Sequence, residues 1–579
     1  MAAATFDRNE PSVARPKFAR STPAASKVPS ALVLKGVRRR LMRRLLSSVA
    51  GAASLFLGFH SATFAAPTPE QVRPPYNVVF VLVDDLRFDM MGFLTPGLRT
   101  PNIDRLAREG LYFKNAVVTS SLCSPSRATI LTGQTIRNHG IIDNNDTSEA
   151  GLKFFPSYLK EANYTTAFIG KWHMGMSSDD PRPGFDKWVS FKGQGTYFPT
   201  DERSPEKIGP PARQTLNVDG SSVPRKGYVT DELTDYALDW LQRGRDKSKP
   251  FFLYLSHKAV HSHAVAPLRY EHQYDDLEIK LPASMANTPE NNRGKPVWVR
   301  NARNSWHGSD FAFASDRPLK EVVRDIYRTL TPVDDSLGRI MAYLKKAGLD
   351  RNTMIVFYSD NGYLTGDHGL TDKRNAYEGS VRVPMLVWAP GLVPHGVSEA
   401  VVRNLDLAPS FLDLAGIPKP AQMEGASWLP LAEGGMADAT WKPGDFIYEY
   451  YWEWTFPINP TTFAIERDRI KYIQYHGVWD MEELYDLRSD PGETNNLIGD
   501  PLYYNKKVEL RAALYRQLAD SRGRHAIAYG ERNGTGIIQR DANGTRAADF
   551  PESWYVFPNL PDRAQGMFPE TLKNPPAAD

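Results

Sequence analysis

Residues 77–84 read NVVFVLVD, and this stretch decides the fold. It is an apolar, largely β-branched run without polar alternation, and it closes on an acid. That pattern describes a strand covered on both faces. Runs of the same kind recur at 165–170 (TTAFIG), 251–256 (FFLYLS), 353–359 (TMIVFYS) and 384–389 (PMLVWA). Helical patterns lie between them. Residues 102–109 open with Asn102 as the expected cap. Residues 229–243 place Leu233, Ala237, Leu238 and Leu241 on one face. Residues 319–347 space Ile326, Leu330, Val333, Leu337, Ile340, Met341 and Leu344 at helical period, with a kink expected at Pro332. Strand–helix alternation with buried strands predicts a layered α/β fold. Two long polar stretches rich in Pro and Gly, 178–227 and 262–318, read as loops of the functional or mobile kind.

The character changes near residue 440. Short aromatic strand candidates follow at 446–454 (FIYEYYWEW), 462–466, 469–475 and 482–486, then a helix at about 502–520. The division is therefore a main domain over 76–440, a smaller α+β subdomain over 441–522, and an extended tail over 523–579. The tail is rich in Gly, Asn and Pro, and is expected to wrap the surface or a neighbouring subunit.

The front end is a separate matter. Residues 1–65 hold 11 Lys and Arg against 2 Asp and Glu, so the net charge of +3 is a leader effect and the remainder stands at −6. That balance argues against a nucleic-acid footprint. Arginines at 38–40, 43 and 44 precede an apolar run from Leu45 to Phe59, and small residues follow up to Ala65. The order is that of a secretory signal peptide over 42–65. The run falls short of the roughly 20 residues of a spanning helix, so no stable membrane anchor is expected. Residues 1–41 read as a disordered or spurious extension. A periplasmic or secreted protein follows.

The one cysteine, Cys123, excludes an internal disulfide and a Cys-based zinc site. It stands in SSLCSPSRATILTG at 120–133, where Pro125 sits close to the start of a helix. Backbone donors and the helix dipole favour an anion there, and Arg127 adds a forked cation. Cys123 is thus either a nucleophile in an anion site or a buried structural thiol. Asp84 and Asp85 end one buried strand; Asp360 and Asn361 end another. Each pair alone is an ordinary turn. Together they are oxygen ligands for a hard cation. Three cationic clusters are each expected just past a strand: GKWHMG with Lys171 and His173, SHKAVH with His257, Lys258 and His261, and DKRNAYEG with Lys373 and Arg374. Singly each is a solvated charge or a core histidine. Converging beside a metal, they imply an anion between them.

The chain resembles the type I sulfatases of the alkaline-phosphatase superfamily. CSPSR at 123–127 matches their cysteine signature, and GKWHMG, the His261 block, SDNG, the Lys373–Glu378 block and ELYDLRSDPGETNNL at 483–497 follow in family order. The resemblance implies a large mixed sheet sandwiched by helices with a smaller C-terminal subdomain. It implies conversion of Cys123 to formylglycine by a maturation enzyme, the aldehyde hydrate supplying the nucleophilic oxygen. Asp84, Asp85, Asp360, Asn361 and the converted residue 123 would hold Ca²⁺, with Mg²⁺ or Mn²⁺ as alternatives. Arg127, Lys171, His173, His261 and Lys373 would hold sulfate and move protons. His261 with Lys373 would protonate the leaving oxygen, and His173 would act as base for release of sulfate. Residues 359–384 and NHGIIDNND at 138–146 resemble the N-acetylglucosamine-6-sulfatases and glycosaminoglycan sulfatases, which implies a sulfated carbohydrate substrate, with His368 and Arg374 as candidate sugar contacts. The alternatives are a phosphonate monoester or phosphodiester hydrolase on the same scaffold, and a non-catalytic protein that binds sulfated glycans.

Overall fold

The computed structural model describes residues 75–145, 149, 151–176, 178–199, 215–305, 307–310, 317–453, 456–476 and 482–520. The leader and the tail from 523 lie outside the described residues. Strands β1 (Asn77–Val83), β2 (Leu111–Val117), β3 (Thr165–Lys171), β4 (Lys187–Phe191), β5 (Thr215–Val218), β6 (Ser221–Pro224), β7 (Phe251–Ser256) and β8 (Thr353–Ser359) come first. A two-stranded ribbon follows, β9 (Leu364–Thr365) with β10 (Thr371–Asp372), then β11 (Met385–Trp388) and β12 (Gly396–Arg403). All but the ribbon form one mixed ten-stranded sheet, in the order β12-β2-β11-β8-β1-β7-β3-β4-β5-β6. A separate antiparallel sheet orders β13 (Phe446–Tyr450), β14 (Thr462–Arg467), β15 (Ile470–Tyr475) and β16 (Glu483–Asp486) in sequence.

β1 is the centre of the large sheet. It pairs in parallel with β7 on one side and β8 on the other, in register Val79↔Leu253 and Val79↔Ile355. Its side chains alternate between two cores. Val78, Phe80 and Leu82 pack with Phe155, Phe252 and Phe411; Val79, Val81 and Val83 pack with Leu330, Val333 and Leu337 of the long helix. Both faces are dry, which is why the sequence is continuously apolar rather than alternating. Each such side chain contributes about 1.5–3 kcal/mol by leaving water.

Two details differ from the sequence expectations. The helix Pro101–Glu109 is not capped by the Asn102 side chain. Asp334 on the long helix accepts from the Asn102 and Ile103 amides at 2.9 and 2.8 Å, so a tertiary carboxylate does the capping. The long helix is Leu319–Lys346, with Pro332 inside it. The 178–227 stretch contains β4 and the β5–β6 hairpin as well as loop.

The small sheet has helix Tyr504–Asp520 on one face, through Ile465, Tyr472, Leu510 and Leu514. Its other face puts Tyr448, Ile473 and Tyr485 against Leu122, Leu364, Tyr377 and Val381 of the main body. Among the described residues no helix is long and apolar enough to cross a membrane.

Gly170 carries the closest approach in the sheet. Its φ is +128°, and a Cβ there would lie 1.8 Å from the Ser256 carbonyl oxygen of β7. Gly170→Ala is expected to force the end of β3 off β7 and cost on the order of 3 kcal/mol, measured by urea denaturation. A variant as stable as the parent would contradict this packing.

Candidate active site

β8, β1, β7 and β3 are neighbours and run parallel, so their C-terminal ends open along one edge. Asp84 and Asp85 leave β1, Asp360 and Asn361 leave β8, and Lys171 is the last residue of β3. The fourth contribution is the helix Cys123–Thr132, whose ten residues are all buried. It ends on Gly133 in the left-handed region, φ 64°, with the Gly133 amide donating to the Thr129 carbonyl.

Cys123 begins that helix with no measurable exposure. Its Sγ lies 3.1 Å from Lys373 Nζ, 3.9 Å from Lys171 Nζ and 3.7 Å from Asp84 Oδ1. Lys171 also donates to Asp84 Oδ2, and to Gln194 Oε1 at 2.6 Å. Lys373 also donates to Asp85 Oδ1. Asn361 Nδ2 reaches the same oxygen at 2.6 Å, and the Asp85 amide donates to Asp360 Oδ1 at 3.1 Å. His261 Nε2 is 3.7 Å from Asp85 Oδ2, and the His261 carbonyl accepts from the Tyr197 hydroxyl at 2.8 Å. His173 turns the chain directly after β3 with a φ of 48°. Its carbonyl accepts from Ser124 Oγ, and its Nε2 sits 3.2 Å from Met176 Sδ.

Arg127 is held among protein oxygens at the sheet edge. Nε and Nη2 lie 2.9 and 2.8 Å from Asp360 Oδ2, while Nη1 donates to the Lys171 carbonyl at 2.6 Å and to Ser256 Oγ at 2.7 Å. Those contacts tie the helix to the sheet edge, while Nη2, buried, makes no hydrogen bond of its own. Ser256 and Gln194 are site neighbours that the sequence reading missed. Ser256 had a signal, since it closes β7; Gln194, in a loop, had none.

The electrostatics follow from burial. Desolvation pushes the Asp84 carboxyl up, but Lys171, His261, Arg127 and Lys373 outweigh it and hold the group well below the usual range. Burial pushes the Cys123 thiol up to about 12 despite Lys171 and Lys373, so as plain cysteine it is a neutral thiol. Burial, reinforced by Lys171, holds His173 and His261 well below the ordinary imidazole value. Lys373 is held well above its ordinary value: burial opposes the charge, and Asp85 leads the groups that override it.

The donor set fits a hard cation. Oxygens of Asp84, Asp85 and Asp360 lie within 4.8 Å of one another. Asp85 Oδ2 and Asn361 Oδ1 are buried without a hydrogen-bond partner, a cost that a cation at that point removes. The candidate sugar contacts are placed differently from each other. His368 is buried with its ring 4.4 Å from Tyr377. Arg374 lies 3.6 Å over the Phe456 ring and pairs with Asp372 and with Glu453 at 3.0 Å.

The sulfatase family model matches residues 76–417, more than half of the chain. The chain belongs to the sulfatase family. It is a type I sulfatase of the alkaline-phosphatase superfamily, and hence a sulfuric ester hydrolase. A second model, the C-terminal part of N-sulphoglucosamine sulphohydrolase, matches residues 366–521. The sulfatase is 31% identical over 514 residues to the N-acetylglucosamine-6-O-sulfatase of Bacteroides thetaiotaomicron, covering 78% of this chain and 88% of the relative. It is 29% identical to the human N-acetylglucosamine-6-sulfatase, covering 80% and 87% respectively. A solved structure in complex with its substrate D-glucosamine-2-N,6-O-disulfate superposes with a TM-score of 0.67 at 29% identity, covering 78% of this chain and 98% of that one. The phosphonate monoester hydrolase of Agrobacterium radiobacter shares the fold, with a TM-score of 0.63 at 22% identity over 77% and 96% of the two chains.

His257, offered by the SHKAVH cluster, belongs to the core instead. Its Nε2 faces Ser336 Oγ of the long helix at 3.4 Å, and burial lowers it to about 3, with Asp231 pulling weakly the other way. The unfolded chain takes up that proton near pH 6.5, the folded one only near 3, so stability is full above 6.5 and drains as pH falls between the two. His257→Gln is expected to shrink the loss of stability between pH 7 and pH 5 by about 2 kcal/mol, read from urea melts at both values. An unchanged difference would place the acid sensitivity elsewhere.

Proposed function

We propose that this sulfatase hydrolyses a sulfate ester on a sulfated sugar, with N-acetylglucosamine or glucosamine 6-sulfate as the substrate class. The observation that carries the reaction is the meeting of Lys373, Lys171 and Asp84 on Cys123 Sγ at 3.1, 3.9 and 3.7 Å. A buried cage of charged donors around one atom suits an oxygen nucleophile and an oxyanion better than a neutral thiol. The sugar assignment is supported by the names of the relatives, N-acetylglucosamine-6-sulfatases, and by the glucosamine disulfate bound in the similar structure.

Formylglycine at position 123 would supply, as its hydrate, the nucleophilic oxygen. A divalent cation, Ca²⁺ by the all-oxygen donor set, would be held by Asp84, Asp85, Asp360, Asn361 and residue 123, and would polarise the sulfuryl oxygens. Lys171 and Lys373 neutralise the ester's charge. His261, neutral in the free site, gains a reason to bind a proton when the anion arrives, and with Lys373 hands a proton to the leaving alcohol oxygen. His173, also neutral, is the base that takes a proton for release of sulfate. Arg127 keeps the helix of residue 123 in line. Arg374 and Asp372 form the polar wall beside Lys373 for sugar hydroxyls. Because Cys123 is wholly buried, its conversion by a maturation enzyme precedes closure of the fold, which agrees with an exported, periplasmic or secreted protein.

The test is mass spectrometry of the peptide bearing residue 123, alongside turnover of N-acetylglucosamine 6-sulfate, 4-nitrophenyl sulfate and phenyl phosphonate. The expected outcome is loss of sulfur from the side chain in favour of oxygen, and sulfate ester as the preferred substrate. Cys123→Ala is expected to lower turnover at least about a thousandfold with the melting curve retained, and chelation of divalent cations to abolish turnover reversibly. Faster phosphonate than sulfate hydrolysis would make this a phosphonate hydrolase. An unconverted Cys123 with glycan binding and no turnover would make it a binding protein.

A further inference from the structure

The loop that carries Lys373 is held by the small sheet. Residues 373–377 have no regular backbone, and Arg374 takes a φ of 77°. Such a segment does not set its own geometry, so its position is imposed from outside. On one side the Arg374 amide donates to the Ser121 carbonyl at 3.3 Å. On the other side stands Lys471, in β15, between β14 and β16.

Lys471 is 1% exposed, and its ammonium makes three hydrogen bonds: to the Ala376 carbonyl at 2.9 Å, to Glu378 Oε1 at 2.7 Å and to Glu493 Oε1 at 3.0 Å. Glu493 Oε2 in turn accepts from the Glu378 amide at 2.7 Å. From that anchor a short chain of bonds runs back along the loop. The Tyr377 amide donates to Asn375 Oδ1 at 3.1 Å, and Asn375 Nδ2 reaches the Lys373 carbonyl at 3.4 Å. The end of the chain is Lys373 Nζ, 3.1 Å from Cys123 Sγ.

We propose that Lys471 is a positioning residue for the Lys373 ammonium, acting through the Ala376 carbonyl and Glu378. The inference rests on the hydrolase reading above, in which Lys373 serves the leaving oxygen. An ammonium on a strand paired on both sides is rigid in a way that a loop contact is not, and a shift of about 1 Å in a proton donor is enough to cost two orders of magnitude in rate. The small subdomain thereby supplies the geometry of a group in the active site without touching the ester.

Two variants test this. Lys471→Met removes the anchor. Lys471→Met with Glu493→Gln removes it together with one of the carboxylates left unpaired, which protects the fold if the single variant is unstable. Turnover is compared on phenyl sulfate, which needs its leaving oxygen protonated, and on 4-nitrophenyl sulfate, which needs this far less. The expected result is a fall in kcat of about 100-fold on phenyl sulfate against less than about 5-fold on 4-nitrophenyl sulfate, with KM changed by no more than about twofold for either. An equal loss on both esters overturns the inference, because a merely looser fold lowers both alike. No loss on either overturns it as well, as does failure of both variants to fold, which would make Lys471 an element of stability only. If the parent enzyme turns over neither ester nor sulfated sugar, the hydrolase reading itself has failed, and that outcome is visible before any variant is made.

Discussion

The guanidinium of Arg127 touches the ends of all four central parallel strands. It binds Asp360 after β8, the Lys171 carbonyl at the end of β3 and Ser256 Oγ at the end of β7, and it lies 3.7 Å from Asp84 after β1. These contacts come from one side chain on the first turn of the helix that begins with Cys123. The helix and the sheet edge are therefore fixed to each other by one planar, permanently charged group. Lysine at this position could not make the same set of contacts, since a point charge on a flexible stem cannot span four acceptors in a plane. A buried cation of this kind is costly unless every neighbour is arranged for it, and here the neighbours are the site.

That frame explains how charges of both signs coexist in a dry pocket. Asp84, Asp85 and Asp360 have as their nearest cations Lys171, Lys373 and Arg127 respectively. The cage is thus electrically balanced before any ligand arrives. A divalent cation adds positive charge and a sulfate monoester negative charge, so on the proposed reading each favours the binding of the other. Burial, with Lys171 beside them, keeps the two histidines neutral until an anion enters.

Much of this was legible in the sequence because strands buried on both faces leave a plain signature. β1, β3, β7 and β8 are unbroken apolar runs, and their last residues or the acids just after them mark the ligand edge of the sheet. β2, β4 and β12 were not legible: Lys114 and Asn115 interrupt one, Glu399 and the bulge near Ser398 another, and β4 follows a Pro- and Gly-rich stretch. The cap of helix Pro101–Glu109 was misassigned for a related reason, since Asp334 lies more than 200 residues away and no local pattern announces it. Resemblance to a known family brought the site residues together; periodicity alone left Cys123 evenly divided between nucleophile and inert thiol.

Lys471 marks the limit of local reading. In RIKYIQY alternation puts it on the same strand face as Ile473 and Tyr475, and nothing local says what its ammonium meets there. It is buried because the loop from 373 to 378 lies over that face and brings Glu378 and a bare carbonyl to meet it. The loop in turn cannot be ordered by its own sequence, and lies open unless something supplies the missing donor. Each element is incomplete without the other: the strand's ammonium would keep only Glu493, and the loop would carry an unpaired acceptor. Two such defects cancel only when the small sheet is docked, so docking and the placement of Lys373 are one event. This gives the C-terminal subdomain a chemical reason to be part of the enzyme rather than an appendage to it.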